Sequence, residues 1–331
     1  MADTRFDVLG IGNAIVDVLS HSDDEFLARH NLPKGAMTLI DEATAERLYD
    51  DMGPAVEVSG GSAANTIAGL ASLGGACAFF GKVREDQLGR VFGHDMRAMG
   101  VHYETPEAFD GPSTARCMVL VTPDAERTMQ TYLGASVNLS PEDIDEAVVA
   151  ASKVTYLEGY LWDPSLAKEA FRKAAKVAQD AGQAVALSLS DPFCVDRHRT
   201  DFLDLVKGHV DVLFANEDEI KSLYEVDNFD AALQAVRGDC KIAALTRSSQ
   251  GSVVVNGDEV HVIDAEKVDR VVDTTGAGDA FAAGFLHGLA VENTDLARCA
   301  HLGNVAAAEV IGHMGARPET PLGELVAKRL G

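Results

Sequence analysis

Short, continuous apolar runs alternate along this chain with segments whose apolar residues recur every three or four positions, the respective signatures of buried strands and amphipathic helices. Strands are predicted at Phe6–Gly12, Ile15–Leu19, Ala78–Val83, Ala184–Leu189, Val210–Phe214 and Ile242–Leu245. The intervening helices are read over Asp41–Asp51, Ser62–Leu73, Asp86–Met99, Asp201–Lys207, Glu217–Tyr224, Phe229–Arg237, Ala280–Leu289 and Leu296–Val310. Glycines punctuate them: Gly74-Gly75 stops one helix and Gly100 the next, while Asp163-Pro164 opens a helix that runs to Gly182. Ser140-Pro141-Glu142-Asp143 reads as another helix start, with a cap, a proline and acids in the first turn. Val253–Val255 and Val260–Val262 flank Asn256-Gly257, a hairpin signal, and Arg116–Thr122 and Arg127–Leu133 read as a second hairpin around Pro123-Asp124.

Alternating strand and helix units with continuous apolar strands predict an α/β fold with a mostly parallel sheet covered on both faces, a three-layer α/β/α sandwich. Two polar, turn-rich stretches break the rhythm and are assigned to a small β lid: residues 15–41 and 102–133. Residues 1–14, 42–101 and 134–331 are assigned to the core.

The formal net charge of −24 argues against nucleic acid or an anionic membrane as a partner. Five scattered cysteines without a C-x-x-C pair fit reduced thiols, and hence a cytoplasmic protein. The N-terminal residues lack a basic stretch followed by an apolar one, so no signal peptide is expected. No apolar run approaches the roughly 18–20 residues that cross a bilayer.

Candidate chemistry concentrates in Asp273–Leu286, D-T-T-G-A-G-D-A-F-A-A-G-F-L. A small-residue turn opens a helix with Asp279 at its mouth. Bare N–H groups at a helix N-terminus suit a phosphate, and a neighbouring carboxylate suits removal of a proton; together they point to phosphoryl transfer. A plain cap and a tight turn are the alternative reading of the same residues. Gly10-Ile11-Gly12 is not a dinucleotide fingerprint, because Ile15 stands at the third glycine position and a strand follows. The residues around Ser62 likewise fall short of a nucleophile elbow.

The Asp273–Leu286 motif resembles the C-terminal signature of the ribokinase-like (PfkB-type) carbohydrate and nucleoside kinases. G-N-A-I-V-D at Gly12–Asp17, S-G-G-S-A-A-N-T at Ser59–Thr66, N-E-D-E at Asn216–Glu219 and T-R-S-S-Q-G at Thr246–Gly251 are similar to further motifs of that family. Thr246-Arg247-Ser248 departs from the T-x-G of many members. G-N-A-I-V-D, with E-R-T-M at Glu126–Met129, looks most like the adenosine kinase branch.

The resemblance implies an ATP-dependent kinase acting on the 5′-hydroxyl of a ribonucleoside, adenosine first, with a free-sugar kinase as the alternative and a non-catalytic binding protein third. It implies Asp279 as general base and Gly276, Ala277 and Gly278 as the anion hole. Asp17, Gly60, Gly61 and Asn65 would seat the sugar, Asn13 the base edge, and Arg127 would reach in from the lid. Tyr160 and Phe193 have two open readings, a slot for the base or core packing, and Trp162 lines a pocket or fills a gap. Asn216 and Glu219 would organise Mg²⁺ through water. Thr246, Gly251 and Asn304 would lie near the nucleotide. A monovalent cation such as K⁺, near Asp273 and Thr275, and a monomer or homodimer complete the family's implications.

Overall fold

The computed structural model describes residues 4–124 and 126–330. Its strands are β1 Phe6–Ile11, β2 Ile15–His21, β3 Met37–Leu39, β4 Ala55–Gly60, β5 Cys77–Phe80, β6 Ala115–Val121, β7 Arg127–Tyr132, β8 Ser152–Glu158, β9 Ala184–Ser188, β10 Val212–Asn216, β11 Ile242–Thr246, β12 Ser252–Asn256 and β13 Glu259–Ile263. They form an eight-stranded sheet, β13-β12-β11-β10-β9-β8-β1-β5, and a five-stranded sheet, β3-β7-β6-β2-β4. The large sheet is parallel from β11 through β5, and the predicted Asn256-Gly257 hairpin supplies its antiparallel edge.

Both faces of the large sheet are covered, as its apolar strands require. In β1, Leu9 and Ile11 face one core with Phe171 and Phe202, from the helices Ser165–Asp180 and Pro192–Gly208. Val8 faces the other core with Ile67, Phe281 and Phe285, from the helices Ser62–Ser72 and Ala277–His287. Trp162 is wholly buried in the first core, its ring centroid 5.8 Å from that of Phe171, so it fills a gap and lines no pocket.

The lid boundaries differ from the sequence assignment. β4, placed in the core by sequence, pairs with β2 in the lid sheet. The helix Glu42–Asp51 also goes with the lid, setting Ala45 and Leu48 on Met118 of β6. β4 escaped notice because it is an edge strand with Val56 exposed, so no buried alternation marks it. Conversely, the stretch after Gly100 lies along the core sheet, bridging Ala78 to His102 and Arg84 to Ala108. The helix start at Ser140 is a single 3-10 turn, Pro141–Asp143, and a final helix, Leu322–Leu330, follows those read from sequence. Among the described residues, no helix is long and apolar enough to cross a membrane.

Candidate active site

The strands β1, β8, β9, β10 and β11 end on one edge of the parallel sheet, where open α/β sheets bind ligands. Two glycine turns bring helix N-termini to that edge. Gly61 has φ +98°, and a side chain there would be driven into the Asn13 carbonyl oxygen, so the turn into Ser62–Ser72 admits only glycine. Gly276, at φ +76°, caps Ala277–His287 in the left-handed region, and a Cβ on it would come within 2.5 Å of that of Ala316. At Gly278 a Cβ would meet nothing within 4 Å, so the turn opens outward.

Asp279 stands in the first turn of Ala277–His287, half-buried. Oδ1 accepts from Ser62 Oγ at 2.6 Å and Oδ2 from Asn65 Nδ2 at 3.1 Å. Burial pushes its carboxyl up to about 6, while these two bonds and the Arg317 charge hold it down. Of the three residues expected to form the anion hole, one has its N–H engaged within the turn. The Ala277 N–H donates to Thr274 O at 3.2 Å, while those of Gly276, Gly278 and Asp279 find no acceptor among the described residues.

Asp17, on β2, faces the same space. Burial raises its carboxyl to about 6, against the pull of Arg317 and Arg127, and Asp279 adds repulsion. Gly60 leaves room for this carboxylate, since a Cβ there would collide with it. Arg127 crosses from lid to core, but to Asp273 and not to an open site: its guanidinium pairs with Asp273 Oδ2, which also accepts from Gly315 N at 2.9 Å. Asp273 Oδ1 accepts from Thr275 N at 3.0 Å, so both carboxylate oxygens of Asp273 are engaged.

Asn13 is not free to read a base. It is 2% exposed, donating to Glu158 Oε1 at 2.6 Å and accepting from Ser136 Oγ at 2.8 Å. Glu158, absent from the sequence reading, also accepts from Ala63 N at 2.8 Å, and burial lifts its carboxyl to about 7. Its one local signal is an acid ending the apolar run V-T-Y-L-E. Tyr160 and Phe193 are not core: they are 37% and 74% exposed. Tyr160 lies close enough to Asp279 and Glu219 for both to help burial raise its phenol.

At the other end, Asn216 and Glu219 form a capping box. Asn216 Oδ1 accepts from Glu219 N at 2.9 Å, and Glu219 returns with Oε2 on Asn216 N at 2.9 Å and Oε1 on Asn216 Nδ2 at 2.6 Å. Burial, then Asp191, Asp218 and Asp279, raise the Glu219 carboxyl to about 7. Among the described residues, no group of three acidic, histidine or cysteine side chains could cage a metal. Both Glu219 oxygens accept from Asn216, so any hold of this pair on Mg²⁺ would run through the waters that ion keeps.

Thr246 pairs with Asn216 across β10 and β11. Gly251 adopts φ +82° where a side chain would strike the Ile263 carbonyl. Ser248, in place of the family's glycine, keeps a left-handed backbone at φ +52°. Asn304 is neither surface nor free: Nδ2 donates to Asp264 O at 2.9 Å, tying Leu296–Val310 to that loop. Arg317 was missed altogether, lying beyond every motif. Burial lowers it to about 10, and Asp17, Asp95 and Asp279 surround it.

Known proteins share this layout. The pfkB family carbohydrate kinase profile matches residues 41–322. An adenosine kinase structure from Sinorhizobium meliloti is 53% identical with a TM-score of 0.91, covering 99% of this chain and 100% of its own. A probable sugar kinase structure from Rhizobium etli CFN 42 is also 53% identical at 0.91, covering 98% of each. The adenosine kinase of Saccharomyces cerevisiae is 27% identical over 92% of this chain and 94% of that enzyme. The chain is therefore a phosphotransferase with an alcohol acceptor, a member of the pfkB family of carbohydrate kinases that resembles its adenosine kinase branch.

Proposed function

We propose that this chain transfers the γ-phosphoryl group of ATP to the 5′-hydroxyl of a ribonucleoside, adenosine first. One observation carries the reading: Asp279, a half-buried carboxylate held by Ser62 and Asn65, stands beside the unpartnered N–H groups of Gly278 and Asp279 and faces Asp17.

Asp17 seats the ribose diol, since a carboxylate accepts two hydrogen bonds at once. Gly60 and Gly61 let the backbone approach the ring, and Asn65 stands beside it. The 5′-oxygen attacks the γ-phosphorus in line while Asp279 takes its proton; the bond from phosphorus to the bridging oxygen breaks, and ADP leaves. The helix N-terminus holds the charge on the equatorial oxygens. Mg²⁺, when bound, neutralises phosphate charge, and Asn216 and Glu219 would hold it through water. The lid strands β2 and β7 keep out water, the competing acceptor.

The exposed rings of Tyr160 and Phe193 favour a nucleoside over a free sugar, because apolar surface at the sheet edge suits a stacked base. A coupled assay of ADP release across adenosine, inosine, guanosine, ribose and fructose tests the choice. Adenosine should give the highest kcat/KM, and Tyr160→Ala should raise its KM tenfold or so, about 1.4 kcal/mol of stacking. Preference for ribose or fructose, untouched by Tyr160→Ala, would establish the sugar kinase. Asp279→Asn should lower kcat by roughly 10²–10⁴-fold with nucleoside binding retained.

A further inference from the structure

The segment 315–317 touches three parts of the site at once. The Gly315 N–H donates to Asp273, the partner of Arg127 on the lid. Ala316 lies under Gly276, at the turn into Asp279. Arg317 then reaches across to β4: Nε donates to Ser59 O at 3.1 Å and a terminal nitrogen to Ser59 Oγ at 3.2 Å. Ser59 is in register with Val16 on β2, next to Asp17. Its N–H donates to Asp95 Oδ2 at 2.9 Å, so the edge of the lid is held from two sides.

Among the described residues, Arg317 makes no hydrogen bond to Asp17 or Asp279, yet it is the foremost positive charge acting on each. Arg127 also acts on Asp17 but is paired with Asp273. The other titratable groups coupled to Asp279 are Asp17 from β2, Tyr156 and Glu158 from β8, Tyr160 after it, and Glu219 from the helix Glu217–Tyr224. None of these adds a positive charge.

We propose that Arg317 is a positioning residue for phosphoryl transfer: one guanidinium pins the lid edge at Ser59 and supplies the counter-charge shared by the diol seat, Asp17, and the base, Asp279. Docking of the lid edge and the electrostatic setting of both carboxylates then become one event. The inference rests on the reading of Asp279 as base. Arginine suits this task better than lysine, because its rigid planar fork holds two hydrogen bonds to Ser59 in one fixed geometry while its charge is delocalised.

The experiment is the pH profile of kcat/KM for adenosine in Arg317→Met and Arg317→Lys, with folding checked by near-UV circular dichroism. Arg317→Met should move the acidic limb upward by about one pH unit, losing roughly threefold at pH 6.5 and approaching tenfold below about pH 5.5, with most of the loss recovered by pH 8.5. Arg317→Lys should keep the limb in place but raise the adenosine KM severalfold, the mark of a loosened lid edge. A folded Arg317→Met with an unmoved limb overturns the proposal. If Arg317→Met does not fold, an unchanged KM in Arg317→Lys overturns it instead. Asp279→Asn separates the two readings. Retained turnover there removes the base assignment itself, whereas a dead Asp279→Asn beside an unmoved limb in Arg317→Met removes the Arg317 role alone.

Discussion

The Ser62 hydroxyl donates a 2.6 Å hydrogen bond to Oδ1 of Asp279, joining residues 217 positions apart. Asn65, one turn along the same helix, donates to the other carboxylate oxygen at 3.1 Å. The helix that begins at Gly60-Gly61 thus orients an acid at the mouth of a second helix. Both bonds favour the ionised form, since a carboxylate accepts them better than a carboxylic acid does. Ser62→Ala removes one such donor. The acidic limb of kcat/KM should move to higher pH by about one unit, the scale of one hydrogen bond to a charged group. A limb in the wild-type position would show that Ser62 does not set the ionisation of Asp279.

The raised carboxyls also fix how stability varies with pH. Burial lifts Asp17 and Asp279 to about 6 and Glu158 and Glu219 to about 7. A carboxyl whose pKa is higher in the folded state binds more protons folded than unfolded, so its contribution to stability falls as pH rises from the unfolded to the folded value. We expect Tm to decline between about pH 4 and pH 7 on account of these four groups. Asp279→Asn, which mimics the protonated form, should raise Tm at pH 8 and leave it nearly unchanged at pH 4. For Asp279 the effect has an upper bound of about 3 kcal/mol. Thermal denaturation of both proteins at the two pH values checks the sign, and stabilisation confined to pH 4 would contradict it.

Two glycines of one motif should answer to alanine in opposite ways. Gly276 sits at φ +76° against Ala316, so Gly276→Ala meets both strain and collision and should destabilise by more than about 1 kcal/mol. Gly278 lies in the first helical turn with open space beside it. Gly278→Ala should keep or slightly raise Tm, as alanine replaces glycine in a helix. Its methyl group would occupy the space the phosphoryl group needs, so kcat should fall by an order of magnitude or more at saturating ATP, about 1.4 kcal/mol of barrier. A stable Gly278→Ala with full kcat would move the anion hole elsewhere.

What could be read in the sequence was what short-range rules specify. The Asp273–Leu286 turn, the helix start after Gly60-Gly61 and the Asn256-Gly257 hairpin each need particular residues at adjacent positions, and each formed where expected. Tyr160 and Phe193 could be placed after strand ends, but their exposure depended on what packs above them. The rest depends on distant pairings. Nothing local marks Arg317 as the neighbour of Ser59, 258 residues away. Nor does a motif reveal that Asn13 is spent on Glu158, 145 positions on. The edge strand β4 illustrates the same limit, since half-exposed residues carry little period to detect.

The pairing of Arg127 with Asp273 yields the last expectation. It ties the lid strand β7 to the turn that opens the helix Ala277–His287, with side chains only 9% and 5% exposed. Removing one partner of a buried ion pair leaves the other unpaired, typically at about 3–5 kcal/mol. Here Asp273 retains the N–H bonds from Thr275 and Gly315, which soften that loss. Arg127→Ala should therefore fold, but with β7 released from the core. Amide exchange in β6 and β7 should accelerate relative to the large sheet, because opening the lid then breaks one buried contact fewer. The acceptor KM should rise, and ATP hydrolysis without acceptor should increase as water enters. Exchange rates in β6 and β7 that match wild type would show that other lid contacts hold this sheet closed.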